Sequence, residues 1–202
     1  MTDPQDHDRD FTTRHGPGDD GERHDSPVGN DTSVTTAAEP TPVRPHRWAA
    51  LAGFAAVTTA TAVGGALVGP SRPSTMTWYR SLEKPPFQPP ASVFGPVWTG
   101  LYATIAYSGW RVWQAPSSSA RTRALALWGV QMAANAAWTP LFFGARKTRL
   151  ALADLAVQLA ATVGYTATAA RVDRPAAATM APYLGWTSFA GALNTEIVRR
   201  ND

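Results

Sequence analysis

Residues 78–113 read WYRSLEKPPFQPPASVFGPVWTGLYATIAYSGWRVW, and the architecture of the chain can be read from them. The first part, up to Pro90, sets Pro85, Pro86, Pro89 and Pro90 among polar residues. Prolines packed that closely cannot continue a helix, because they lack the N–H donor and hold the preceding residue extended. The reading is a stiff surface connection. From Ser92 no charge appears until Arg111, and the side chains become Val, Phe, Leu, Ile, Tyr and Trp with small spacers. Roughly 20 helical residues cross a hydrocarbon core, so 92–113 is predicted to be a membrane helix fed by that connection.

On either side of this stretch, four further apolar runs occupy 48–69, 124–143, 150–170 and 177–197, with short charged or Pro-containing connections. Irregular backbone exposed to lipid would leave its polar groups unpaired, so such runs cross a bilayer alternately. The predicted fold class is an all-α integral membrane protein, a five-transmembrane-helix bundle over 48–198, with 199–202 as its C-terminal end. Counting Lys and Arg near the ends of the spans gives eight on the side of the first loop and the C-terminus against six on the other. That excess places the first loop and the C-terminus inside.

The mean hydropathy of −0.20 mixes two unlike parts. Residues 1–47 hold ten of the fifteen acidic residues and all four histidines, with almost no large apolar side chains. Such a tail cannot bury enough surface to offset its ordering entropy and is expected to be disordered. It has neither the basic start and apolar core of a signal peptide nor the Arg-rich, acid-poor composition of a transit peptide. Localisation is read as multi-pass in a membrane, the cell membrane of a bacterium. What remains carries thirteen Lys and Arg against five Asp and Glu, in ones and threes between apolar spans. Nucleic-acid binding needs a continuous basic face, and the patterning argues against it. With no cysteine in the chain and no histidine after His46, thiol chemistry and Cys- or His-ligated metals are excluded from the helical part.

Candidate site residues emerge from helical spacing. On the second run Trp98, Tyr102, Ile105, Gly109 and Trp113 share a stripe, with Trp98 just below the proline segment. Trp110 and Trp113 suit an interfacial aromatic belt. On the third, Gln131, Asn135, Trp138, Thr139 and Phe142 recur at helical intervals. An amide in hydrocarbon costs several kcal/mol without a partner, so Gln131 and Asn135 face the interior, either as glue between helices or as ligand contacts. On the back of that helix Gly129, Ala133 and Ala137 form a small-residue row, rotated by roughly 160° from Asn135. It is read as a homodimer seam, with packing inside one chain as the competing account. Asp154 is expected to reach the interface or pair with Lys147 or Arg149. On the fifth run Pro182, Trp186, Phe189 and Ala190 share a face, with Asn194 at its edge. Together Tyr79, Pro89, Trp98, Tyr102, Asn135, Trp138, Thr139, Trp186 and Ala190 are expected to surround one chamber under the first loop, with Arg80 and Lys84 at its mouth. Aromatic walls favour a planar apolar guest, and rim cations suit an anionic one.

The order Trp78-Tyr79, Leu82-x-Lys84-Pro85, Pro89-Pro90, Phe94-x-Pro96-Val97-Trp98-x-x-Leu101-Tyr102 resembles the translocator protein family, the TspO or tryptophan-rich sensory proteins related to the peripheral benzodiazepine receptor. Gln131 to Gly144 and Pro182 to Asn194 agree with it, and the likeness covers about residues 48 to 198. The resemblance implies a membrane receptor or sensor that binds tetrapyrroles such as porphyrins at the chamber positions, and no required cofactor. It further implies that Trp98 and Trp186 match tryptophans to which light-dependent porphyrin breakdown is attributed. A porphyrin-degrading enzyme is therefore one alternative, and a lipid or small-molecule transporter another. Phe87 stands where a tryptophan is common in the family, and the end of the chain lacks the tyrosine of the animal sterol motif, which argues against cholesterol binding.

Overall fold

The computed structural model describes residues 46–69 and 73–201, which form helices and connections without a strand. The expected tail over 1–45 lies outside the described residues. Five long helices are present: α1 Arg47–Val68, α3 Ala91–Gln114, α4 Ser119–Thr139, α5 Thr148–Ala169 and α7 Ala181–Asn201. Two short ones sit in the connections, α2 Pro73–Ser81 and α6 Arg174–Ala178. α1 touches α3 and α4, α5 touches α4 and α7, and α7 touches α3. The long helices thus close a ring in the order α1, α3, α7, α5, α4, with α3 and α4 also meeting across it.

Three boundaries depart from the sequence expectation. The first connection is not irregular throughout, since Trp78–Ser81 are the last residues of α2 and only 82–90 lack helix. That agrees with where the prolines stand, for α2 accepts Pro73 in its first turn and ends before Pro85. The third long run ends as a π-helical turn over Pro140–Gly144, with Ala145 N donating to Pro140 O at 2.8 Å. Pro140 has no N–H to give to the α-helical ladder, and the wider turn re-pairs the carbonyls beyond it. Arg146, at φ 57°, then turns the chain into α5. The fifth run divides: Asp173 caps α6 by accepting from Ala176 N at 2.7 Å, and α7 starts only at Ala181.

α1 and α5 are long and apolar enough to cross a membrane by length and composition; α3, α4 and α7 fall short of that measure. Their polar residues explain it: Gln131 and Asn135, the arginines near helix ends, and the Trp and Tyr residues whose polar tips lower their hydropathy. On α1 only Thr58 is fully buried, while Val57, Val63 and Leu67 are 45 %, 52 % and 66 % exposed.

The buried interior is aromatic and amide-bearing. Ile105, Trp128, Met132, Tyr165 and Tyr183 form the larger apolar cluster, and Phe142, Ala151, Leu193 and Ile197 a smaller one. Trp128 donates to Ile105 O at 3.1 Å and meets the edge of Phe54, with ring centroids 4.8 Å apart. Gly109 permits that contact, because a Cβ there would stand 2.7 Å from both rings.

Candidate functional site

The expected site residues divide between the two clusters. Trp98, Tyr102 and Trp186 pack against the larger one, and Tyr79 and Trp138 against the smaller. Phe94 joins them: it packs on the smaller cluster and meets Trp186 at 5.6 Å between centroids. One turn of α3 separates Phe94 from Trp98, so the start of that helix spans both groups.

At the centre lies a chain of hydrogen bonds across four helices. Tyr102 of α3 donates to Asn135 Oδ1 of α4 at 2.8 Å, and Asn135 Nδ2 donates to the Tyr183 hydroxyl of α7 at 3.1 Å. Gln158 Nε2 of α5 donates to the same hydroxyl at 2.5 Å. Trp98 lies 5.3 Å from Tyr102 and 6.4 Å from Tyr183, centroid to centroid. The Asn135 amide, predicted to face inward, does so and is satisfied there. Gln131, one turn earlier, is fully buried, yet neither of its amide atoms has a hydrogen-bond partner. An unpaired buried amide costs about 1–3 kcal/mol, which makes Gln131 an open polar contact inside the ring.

The second group sits under the first loop. Trp138 stacks on Phe142 at 4.9 Å and donates to Asn194 Oδ1 at 3.2 Å, while Asn194 Nδ2 donates to Thr148 O at 3.1 Å. Tyr79 meets Phe143 at 5.3 Å and accepts from Gln88 Nε2 at 3.1 Å. Burial raises the Tyr79 pKa above its ordinary 10.0, opposed by the Gln88 hydrogen bond. The loop is fastened at both ends. Arg146 donates to Ser74 O at 3.3 Å and lies 5.6 Å from the Trp78 ring, and Asn201 brackets Glu83, accepting from its N–H at 2.8 Å and donating to its carbonyl at 2.9 Å.

Other expected positions differ. Thr139 lies on the α1 side of α4, where a Cβ on Gly65 would stand 3.4 Å from its hydroxyl. Lys84 does not stand open at a mouth; its ammonium folds over the Tyr79 ring at 4.7 Å and donates to Leu82 O at 3.0 Å. Arg80 is exposed, and Pro89 and Ala190 are half-buried. Pro182 is exposed rather than sharing the inner face with Trp186, since Tyr183 takes that place with no exposed surface. Among the described residues no ion pair joins Asp154 to Lys147 or Arg149, and Asp154 Oδ2 is buried without a hydrogen-bond partner. Gly129 and Ala133 are exposed and Ala137 half-buried.

The sequence reading missed Tyr183, Gln158 and Phe94. Gln158 carried the same signal as Gln131, an amide inside an apolar run that must turn inward to find a partner. Among the described residues no group of three His, Cys, Asp or Glu could hold a metal ion.

Comparison with known proteins identifies the family. Residues 54–200 match the model of the TspO/MBR family. The chain is 38 % identical to the translocator protein of Bos taurus over 130 residues, covering 61 % of this chain and 75 % of that one. It is 36 % identical to the tryptophan-rich sensory protein of Cereibacter sphaeroides over 154 residues, 76 % of this chain and 92 % of that one. With the translocator protein homolog of Schizosaccharomyces pombe it shares 42 % identity over 120 residues, 57 % of this chain and 73 % of that one. The matched region begins inside α1, holds every residue of the two aromatic groups and ends at Arg200, so this chain belongs to the TspO/MBR family.

Proposed function

We propose that the chain is a multi-pass membrane receptor of the sensory type, a five-span bundle that binds a tetrapyrrole such as a porphyrin, or a similar planar apolar ligand, between α3, α4 and α7 beneath the first loop. Two observations support the membrane part. The family consists of membrane proteins, and the outward surfaces of several helices are apolar: Val57, Val63 and Leu67 of α1, Val130 of α4, and Leu150, Val157 and Val163 of α5 are all exposed. A soluble bundle would bury those faces or make them polar. A bacterial cell membrane, with the first loop and the C-terminus inside, completes this reading.

The observation that carries the ligand is the setting of the two indoles. Trp98 and Trp186 are half-buried on adjoining helices, flanked by Phe94, and next to the polar chain through Tyr102, Asn135 and Tyr183. Flat rings supply stacking surface and the neighbouring amides fix orientation, Gln131 with both amide atoms still to be satisfied. Asn194 holds Trp138 by its N–H, and the Tyr79 lid closes over that second group. Titration with protoporphyrin IX tests this: quenching of tryptophan fluorescence in the wild type is expected to fall strongly in Trp186→Ala. Equal quenching in both proteins overturns it.

The same indoles keep light-dependent porphyrin breakdown as a second reading, since each lies within contact of an aromatic ring, Trp98 with Tyr102 and Trp186 with Phe94. It requires a new absorbing product on illumination that is lost in Trp98→Phe and Trp186→Phe while binding survives. A homodimer is part of the proposal, with Gly129, Ala133 and Ala137 at the seam, because Gly129 and Ala133 are not used for packing within the chain.

A further inference from the structure

At the end of the bundle away from the first loop, a groove of about 430 Å³ opens between α1, α3 and α4. Its α1 wall is made of small residues on one stripe, Ala49, Ala50 and Gly53, continued by Val57. Trp128 is its floor, fixed by the hydrogen bond to Ile105 O and by the edge of Phe54, and Trp113 its far wall. Among the described residues no acidic side chain lines it. The shape is a narrow apolar trough with one polar end.

That end is cationic. Arg121 lies 5.9 Å from the ring of Trp113, which lines the groove, and donates to Trp113 O at 3.0 Å, so its guanidinium is held beside that wall. His46 lines the same end, and Arg47 is its neighbour on the first turn of α1. Arg47 stacks on Trp48 at 4.6 Å, and its Nε is buried without a hydrogen-bond partner. Trp48 stacks on Trp110 at 6.3 Å and Trp110 donates to Arg47 O at 2.8 Å, an aromatic girdle of the kind that marks headgroup level.

We infer that this groove holds one acyl chain of an anionic phospholipid, with the phosphate drawn to Arg121 and Arg47. The small α1 residues make room for the chain, and the two guanidinium groups select the head by charge and hydrogen bonding. This site is separate from the porphyrin site and lies at the opposite end of α3. It rests on the membrane reading above, which membrane fractionation under alkaline carbonate tests by itself.

The experiment uses the full chain, purified in detergent, stripped of lipid and mixed with equimolar palmitoyl-oleoyl phosphatidylglycerol and phosphatidylcholine. Native mass spectrometry is expected to find one phosphatidylglycerol retained in preference to phosphatidylcholine. Gly53→Leu fills the trough and is expected to lose that lipid while keeping its melting temperature and its protoporphyrin quenching, because a Cβ at Gly53 meets nothing within 4 Å. Ala49→Leu gives the same test from the next turn. Arg121→Gln is expected to lower the ratio of the two lipids about fivefold, the weight of one arginine near a membrane surface. Equal retention of the two lipids by the wild type, or undiminished phosphatidylglycerol in both filled variants, overturns the inference.

Discussion

Asn135 on α4 donates from Nδ2 to the hydroxyl of Tyr183 on α7 at 3.1 Å, the second direct hydrogen bond between these two helices beside that of Trp138 with Asn194. The hydroxyl also takes Gln158, so one oxygen serves two amides in the interior. Removing it leaves both donors unpaired where water does not reach, at about 1–3 kcal/mol for each buried group. Tyr183→Phe is therefore expected to lower the melting temperature in detergent by several degrees, with ring packing preserved. An unchanged melting temperature would mean the amides find other partners and that the chain of hydrogen bonds contributes nothing.

Gly109 is set by geometry rather than by backbone freedom. An added Cβ would lie 2.7 Å from Phe54 Cε1 and from Trp128 Nε1, both parts of rigid rings in mutual contact. Overpacking of this kind costs typically about 1–3 kcal/mol. Gly109→Ala is expected to destabilise the protein, and a companion Phe54→Leu, which removes one ring, to recover part of the loss. Thermal melts of the single and double variants measure this.

The helical runs were legible because hydropathy and proline spacing act locally. Each of the five apolar runs has a long helix in it, and the inward stripe on α4 through Gln131 and Asn135 is buried as its spacing requires. What escaped depended on tertiary partners. The prolines from Pro85 onward mark where a helix cannot run, and leave open whether Trp78–Ser81, ahead of them, are helical. Choosing Tyr183 over Pro182 as the inner residue of α7 needed the start of that helix, which the break after α6 shifts. The fold-back of Lys84 onto Tyr79 is a contact between neighbours in space that no periodicity encodes.

Asn201 fastens the first loop through two hydrogen bonds to the Glu83 backbone, at 2.8 and 2.9 Å. The irregular residues 82–90 have few other fixed points, and segments with few backbone bonds open locally at low cost. Asn201→Ala is expected to speed proteolytic cleavage within 82–90 several-fold while the helical core keeps its melting temperature. If the cleavage rate does not change, the C-terminal clamp does not hold the loop.

Tyr79 gives the loop an alkaline limit. Burial raises its pKa in the folded protein above the ordinary 10.0. The folded state thus holds its proton more tightly than the unfolded chain, and the stability this supplies is complete below pH 10 and lost as pH rises through the folded value. Docking of the loop on Phe143 is expected to weaken above pH 10 in the wild type and to depend less on pH in Tyr79→Phe. Protease sensitivity of 82–90 across that range measures it, and identical profiles for the two proteins refute it.

The proposed dimer seam makes a graded demand on cysteine chemistry. Gly129 and Ala133 are exposed, and a Cβ at 129 meets nothing within 4 Å, whereas Ala137 is half-buried toward the π turn. Natural cysteines are absent, so a single introduced thiol has no background. If two chains meet along this row, small residues bring their backbones close enough for Cα atoms to fall within about 7 Å, the reach of a disulfide. Oxidation of membranes containing Gly129→Cys or Ala133→Cys is expected to give a covalent dimer on non-reducing gels, with less from Ala137→Cys. A dimer from Ala137→Cys alone would move the seam toward the first loop. Failure of all three, with Val130→Cys equally silent, would exclude this face of α4 from any dimer.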